Sequence, residues 1–161
     1  FSRLIKCWFT QDFYFIFKIC VDLFPLISVK KSLKNFMTEN EISYIIRGCI
    51  FKVYNALGPG LLESAYEAAL AYEVRAAGSL VVCQVGLPFQ YETISLDVGY
   101  RIDLLVNDKV IVEVKSVDSL TEVYYKQLTT YLKLSNKKLG LLVNFNTMKI
   151  DESIKRIVNN L

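Results

Sequence analysis

The 161-residue sequence contains no histidine, and this absence narrows the chemistry available to the protein. Without an imidazole there is no Ser-His-Asp or Cys-His catalysis, no histidine-dependent nuclease motif and no HExxH zinc site. Any catalysis must therefore rely on carboxylates, on lysine or on a metal ion that prefers oxygen ligands.

Cysteine is also scarce. The four cysteines, at positions 7, 20, 49 and 83, lie far apart and form no CxxC pair. Neither a zinc site nor a disulfide framework is predicted. We expect reduced thiols with structural roles in a cytoplasmic protein.

No uninterrupted apolar run approaches the roughly 20 residues that a bilayer requires. Asp12 and Lys18 interrupt the aromatic-rich stretch within residues 1–36, which also fits a signal peptide poorly. We therefore expect no stable membrane insertion. Met37 begins a segment with the form of a chain start, so we predict that 1–36 is an N-terminal extension outside a functional domain at 37–161.

The net charge of +3 is unevenly distributed. Residues 1–36 contain six basic and two acidic side chains, which gives them +4 and leaves −1 for the remainder. The predicted domain is therefore close to neutral, and its bulk charge gives no argument for a nucleic-acid partner.

Two helices are predicted at the start of the domain. Thr38 and Glu41 have the spacing of a capping box, and apolar residues then recur at helical spacing as far as Leu57. Gly58-Pro59-Gly60 ends this helix, and a second begins near Leu61 and ends at Ala77-Gly78. Glu63 points close to the apolar face of the second helix, where it is either a site group or a first-turn glutamate favoured by the helix dipole. Glu67 is a less favoured candidate for the same role.

Two apolar runs, 100–106 and 110–115, each carry charge where a core residue is expected: Asp103 in the first, Glu113 and Lys115 in the second. Because burying an unpaired charge is expensive, these groups are expected to face one another or a metal.

The turn between the runs decides which charges meet. A two-residue turn at Asn107 and Asp108 places Asp103 and Glu113 on different faces, whereas a three-residue turn that includes Lys109 places them opposite each other. We choose the three-residue turn because it gathers the charges. The other face is then apolar and consists of Tyr100, Ile102, Leu104, Val110, Val112 and Val114.

The remaining segments predict a mixed α+β order. A strand is expected at 80–91, a loop around 92–97, and a strand at 138–145. A capping-box pattern at 119–122 predicts a helix to about Ser135, and 151–160 is expected to form a closing amphipathic helix. Gln127 lies on the apolar side of the helix expected to end near Ser135. It is either a hydrogen-bonded core glutamine or a site group.

Asp103 followed ten residues later by Glu113-Val114-Lys115 resembles the PD-(D/E)xK nuclease motif, and Gly60, Glu63 and Tyr66 read G-x-x-E-x-x-Y. Together these motifs resemble the GxxExxY family of that superfamily, over about 37–161. The resemblance implies an α/β fold of the restriction-endonuclease type, with a mixed β-sheet flanked by helices. Ile102 stands where the motif's proline is normally found, and Tyr124 stands where family members often have a histidine.

The resemblance also implies a function, a Mg²⁺-dependent nuclease that hydrolyses phosphodiester bonds, with Mn²⁺ as an alternative ion and DNA favoured over RNA. Asp103, Glu113, the Val114 carbonyl and Glu63 would bind the metal. Lys115 would orient water or neutralise charge, and Gln127 would position water or phosphate.

Other interpretations of the same residues stay open. The charges could form a purely structural Asp-Lys-Glu cluster, or the domain could be an inactive nuclease-fold module that binds nucleic acid or a protein partner. A carboxylate-pair glycosidase fits poorly because these groups lie on core strands beside a lysine. A homo-oligomer is compatible with the sequence. Tyr66 and Tyr131 are expected to be packing residues.

Overall fold

The computed structural model describes residues 37–91, 94–96 and 99–161. The predicted extension at 1–36 lies outside these residues. Within the described part, Thr38–Leu161 form one compact unit. No helix in this part of the chain is long and apolar enough to cross a membrane. Cys49 and Cys83 are free thiols, and Cys49 is buried.

The unit contains three α-helices, seven strands and one 3₁₀ turn among the described residues. The helices are α1 (Glu39–Leu57), α2 (Glu63–Ala76) and α3 (Glu122–Leu134). The strands are β1 (Val81–Gly86), β2 (Phe89–Tyr91), β3 (Ile94–Leu96), β4 (Arg101–Val106), β5 (Val110–Lys115), β6 (Leu139–Asn144) and β7 (Ile154–Val158). The 3₁₀ turn, Ile150–Ser153, leads directly into β7.

Five strands form a mixed sheet in the order β1-β4-β5-β6-β7. β5 and β6 are parallel, and the other neighbouring strands are antiparallel. The parallel pair requires a crossover, which α3 provides. β2 and β3 pair separately as a two-stranded antiparallel sheet. The predicted fold class, a mixed sheet flanked by helices, is confirmed.

The central strands are buried on both faces. Every residue of β5 and β6 is buried, which requires a helical layer on each side of the sheet. Ile111 and Leu142 pack in one cluster with Leu128 and Leu132 of α3. α1 and α2 contact β5 and cover the alternate residues, so the charged end of β5 lies between two helical layers.

The first helix begins as predicted. The Thr38 backbone N–H donates to Glu41 Oε2 (2.7 Å), and the Glu41 N–H donates to Thr38 Oγ1 (3.3 Å), which completes the capping box. Gly58 ends α1 with φ +65°, a conformation that glycine adopts without a steric penalty.

The predicted three-residue turn between β4 and β5 is confirmed. Val106 lies opposite Val110 and Leu104 opposite Val112. The strand pairing ends there, and Asp103 contacts β5 through its side chain, which accepts from the Val114 N–H. The predicted apolar face is buried at Leu104, Val110, Val112 and Val114. Ile102 was wrongly assigned to this face, because it packs with Ile111 and Leu128 on the other side of the sheet. Tyr100 was wrongly included, because it precedes β4 and is 43% exposed.

The predicted closing helix at 151–160 is wrong. This segment forms a 3₁₀ turn and then β7, which pairs antiparallel with β6. The apolar residues Ile154, Ile157 and Val158 fit either a short amphipathic helix or an edge strand. The open hydrogen-bonding edge of β6 decides for the strand, because its backbone groups need partners.

Three further expectations were wrong in part. α3 begins at Glu122 with no side-chain hydrogen bond from its N-cap residue Thr121, so the predicted capping box there is absent. The single strand expected at 80–91 is divided into β1 and β2 around Pro88, which cannot donate to a ladder. β3 lies within the segment expected to be a loop.

Candidate active site

The charged residues gather at one edge of the sheet. Lys115 ends β5 and lies beside Asn144, the last residue of the parallel strand β6. Parallel strands end at the same edge, so the loops that follow them meet there. The β4–β5 register brings Asp103 to the same place from the other side.

The Asp103 side chain replaces part of the β4–β5 ladder. Its Oδ2 accepts a hydrogen bond from the Val114 backbone N–H at 2.9 Å. Burial raises the pKa of the Asp103 carboxyl above its ordinary value, although the Val114 hydrogen bond and the nearby Lys115 charge oppose the increase. The carboxylate is therefore fixed in position but poorly solvated.

Glu113 is the most deeply buried carboxylate of the group, with 1% of its surface exposed. Its Oε1 accepts a hydrogen bond from Lys115 Nζ at 2.9 Å. Its Oε2 is buried and has no hydrogen-bond partner. Burial first, and the negative charge of Asp103 second, raise the pKa of Glu113 to about 7, against the opposing effect of Lys115.

Lys115 connects the two sides of the site. Its Nζ lies 2.9 Å from Glu113 Oε1, 3.4 Å from Glu63 Oε1 and 5.7 Å from the centroid of the Tyr124 ring. Burial disfavours the ammonium, but the hydrogen bond and charge of Glu113 and the other carboxylates outweigh it, so the pKa of Lys115 is raised. Lys115 therefore stays protonated at neutral pH and cannot serve as a general base.

A hydrogen-bonded turn positions Glu63. The Tyr66 hydroxyl donates to the Gly58 carbonyl (2.6 Å) and accepts from the Leu61 N–H (3.1 Å). The Ser116 hydroxyl donates to the Leu61 carbonyl at 2.7 Å. These bonds tie the start of α2 to the end of β5, and Glu63, with 43% of its side chain exposed, lies at the opening of the site.

The Tyr66 ring explains why the turn is rigid. It is fully buried and stacks on Phe145 with 4.4 Å between the ring centroids. The predicted packing role of Tyr66 is confirmed, and its hydroxyl adds the two hydrogen bonds to the turn.

A family model described as the PD-(D/E)XK nuclease superfamily matches residues 40–157. The chain belongs to the PD-(D/E)XK nuclease superfamily. No curated protein and no solved structure matches the chain. The narrower likeness to the GxxExxY family stays a prediction.

Within this PD-(D/E)XK domain, the oxygen atoms that could hold a metal belong to two carboxylates and a backbone carbonyl. Among the residues that the structure describes, no three His, Cys, Asp or Glu side chains form a group that could hold a metal ion. Mg²⁺, however, is commonly bound through only one or two protein carboxylates, with water and substrate phosphate as its other ligands. Asp103, the Val114 carbonyl and the unpartnered Glu113 Oε2 fit such an ion.

Gln127 has a partner on its own helix in this PD-(D/E)XK domain. Its Nε2 donates to the Tyr131 hydroxyl at 2.7 Å. Within the described chain, no hydrogen bond joins Gln127 to Asp103 or Glu113. α3 brings Tyr124 to Lys115, and Gln127 lies about one turn further along the helix. The role of Gln127 in the site stays a prediction.

Two groups near the site were not predicted from the sequence. The buried Asn144 side chain accepts from the Val117 N–H (3.0 Å) and donates to the Val117 carbonyl (2.7 Å), which fixes the loop after β5. Gln84 donates to Glu67 Oε2 at 2.7 Å, and the Glu67 charge contributes to the raised pKa of Asp103. An isolated asparagine or glutamine gives no periodic signal in a sequence, whereas the helical position of Glu67 did make it a candidate.

Proposed function

We propose that this domain is a Mg²⁺-dependent nuclease that hydrolyses phosphodiester bonds, with DNA favoured over RNA. The observation that carries the proposal is the buried Oε2 of Glu113, which has no hydrogen-bond partner although Asp103 and Lys115 lie beside it. A buried carboxylate oxygen without a partner is costly, and a cation bound there would remove that cost.

Asp103, Glu113 and the Val114 carbonyl are the proposed metal ligands, with Glu63 as an outer ligand at the opening of the site. When bound, a divalent ion would stabilise charge at phosphorus and make water a better nucleophile. PD-(D/E)XK nucleases generally use divalent metals. Mn²⁺ has a similar preference for oxygen ligands and is the alternative ion.

Lys115 acts in this proposal as a fixed positive charge. Its ammonium is held by Glu113 (2.9 Å) and Glu63 (3.4 Å), so it can donate hydrogen bonds to a phosphate oxygen or to water. Such a donor stabilises the negative charge that develops in the transition state. Gln127 would assist by positioning water or phosphate.

The main alternative hypothesis is that the domain binds nucleic acid or a protein partner without cutting. The pKa of Glu113 is raised to about 7, so a fraction of the molecules carry a protonated Glu113 at neutral pH. A protonated carboxyl is a poor metal ligand, which favours this alternative. Cleavage should therefore increase from pH 6 to pH 8 if the enzyme reading is correct.

The test is cleavage of supercoiled DNA, single-stranded DNA and RNA by the full chain, with Mg²⁺, with Mn²⁺ and with EDTA. We expect metal-dependent cleavage of DNA that is lost in Asp103→Asn and Lys115→Met. Matched controls are Asp108→Asn and Lys137→Met, an Asp–Lys pair joined at 2.7 Å beside the β4–β5 turn, at the opposite end of these strands. The controls should cut like the wild type. Binding without metal-dependent cleavage would overturn the enzyme reading, and cleavage of RNA alone would overturn the choice of DNA.

A further inference from the structure

A second concave surface lies away from the charged edge of the sheet, between α1 and β7. It is an open groove of about 590 Å³, and the residues that line it include Asn40, Tyr44, Arg47, Gly48, Phe51 and Arg156. We refer to these six residues as the α1–β7 groove. None of them is used by the nuclease site described above.

The charge of the groove favours an anionic ligand. It contains two guanidinium groups, and none of the described residues that line it is acidic. Arg156 donates to the neutral Asn40 side chain at 2.7 Å, which positions its guanidinium without neutralising it. In the described part of the chain, Arg47 makes no ion pair. Two uncompensated arginines in one groove are well suited to bind phosphate.

The groove also presents aromatic surface. Tyr44 is 80% exposed, and Phe51 lies two turns further along the same helix. Gly48 lies between them without a side chain, and a Cβ added there would meet nothing within 4 Å. Phe51 is half-buried, so Tyr44 is the exposed ring. An exposed aromatic ring beside arginines is a combination by which proteins hold single-stranded nucleic acid, through base stacking and phosphate contacts.

The sheet register relates the groove to the active site. Arg156 lies opposite Leu141, Leu141 lies opposite Val112, and Lys115 is three residues further along β5. At about 4.8 Å per strand and about 3.3 Å per residue, the backbones of Arg156 and Lys115 are roughly 14 Å apart. Because Lys115 is an odd number of residues from Val112, its side chain lies on the α3 side of the sheet, whereas Arg156 lies on the α1 side. A nucleic-acid strand that reaches both must therefore pass around the end of β5.

We propose that the α1–β7 groove is an accessory binding surface for a single-stranded segment of the nucleic acid that the nuclease site cuts. Arg47 and Arg156 bind phosphates, and Tyr44 stacks on a base. The basic character of residues 1–36 (+4) argues against that segment as the occupant. The inference rests on the proposed function only for its choice of ligand.

The test measures binding of fluorescent single-stranded DNA to the full chain by anisotropy, in EDTA so that no metal-dependent cleavage occurs. Arg47→Gln and Arg156→Gln should each weaken binding of an oligonucleotide of about twenty residues, and each should reduce the slope of log K against log salt by about 0.7. Tyr44→Ser should weaken binding about fivefold or more with an unchanged slope, because stacking releases no counterions.

Lys52→Gln is the matched control, since it removes one positive charge from the same helix but at a side chain paired with Glu73 at 2.6 Å. Equal binding by the arginine variants and this control, or no binding of DNA by the wild type in EDTA, would overturn the inference. Neither result depends on metal, so both are distinguishable from a failure of the cleavage assay.

Discussion

Replacing Glu113 by glutamine should stabilise the protein at alkaline pH while abolishing metal-dependent activity. The pKa of Glu113 is raised from its ordinary value of 4.5 to about 7, which means that its ionised form disfavours the folded state by about 3 kcal/mol. Glutamine has a similar shape and cannot ionise. Glutamine keeps an oxygen that can accept the hydrogen bond that Lys115 donates at 2.9 Å, and Lys115 also keeps Glu63. We therefore expect the removal of the ionisation cost to give a net gain of about 1–3 kcal/mol.

The direction of the pH dependence follows from the two pKa values. Between pH 4.5 and about 7 the unfolded chain releases the Glu113 proton while the folded chain keeps it. The folded state therefore binds more protons, and the contribution of Glu113 makes stability fall as pH rises through this window. Above about pH 7 both states are ionised and the difference is constant. Glu113→Gln should be nearly neutral at pH 4.5 and stabilising at pH 8.

Urea unfolding at pH 4.5, 6 and 8 in EDTA measures this effect directly. The matched control is Glu122→Gln, an exposed carboxylate paired with Lys126 on the helix surface, whose removal should change stability by less than about 0.5 kcal/mol at every pH. Adding Mg²⁺ should stabilise the wild type by about 2.7 kcal/mol at a hundred times its Kd and leave Glu113→Gln unchanged. A Glu113→Gln variant that is destabilised equally at all three pH values would refute the argument.

Four further substitutions test helix and core packing and the supports of the site. Gly140→Ala places a Cβ 2.8 Å from the buried Leu128 side chain and should cost about 1–3 kcal/mol in urea unfolding, whereas Gly48→Ala, in open space on α1, should stabilise by about 1 kcal/mol. Tyr66→Phe removes both hydrogen bonds to the turn before α2 and should cost about 1–3 kcal/mol, with reduced cleavage; unchanged stability would show that the turn holds without them. Asn144→Ala leaves the Val117 backbone without its two partners and should cost about 2 kcal/mol or more by thermal unfolding, and a smaller loss would mean that water replaces the side chain.

The central features of the site could be predicted because a buried charge is expensive wherever it lies. The apolar strands are interrupted by Asp103, Glu113 and Lys115. We chose the three-residue turn because it makes these charged residues neighbours, and the structure has that turn. The first helix was predictable for a similar reason, since its capping box and its apolar spacing are both local.

The features that were wrong or missing depend on distant parts of the chain. β7 was predicted as a helix because its apolar spacing is ambiguous, and the open edge of β6 that decides the matter lies outside the segment. The hydrogen bonds of Asn144 to Val117 join residues 27 apart in sequence. Such a contact leaves no local pattern, so sequence periodicity could not have revealed it.

The groups that support the site are neutral, whereas the groups within it are charged. Tyr66, Ser116 and Asn144 hold the surrounding turn and loop through hydroxyl and amide hydrogen bonds, whose energies do not vary with pH over the range in which Glu113 titrates. Their contribution can therefore offset a buried carboxylate at every pH without competing for its free oxygen. A second cationic side chain within reach would instead pair with Glu113 Oε2, which is the atom that the proposed function requires to remain available.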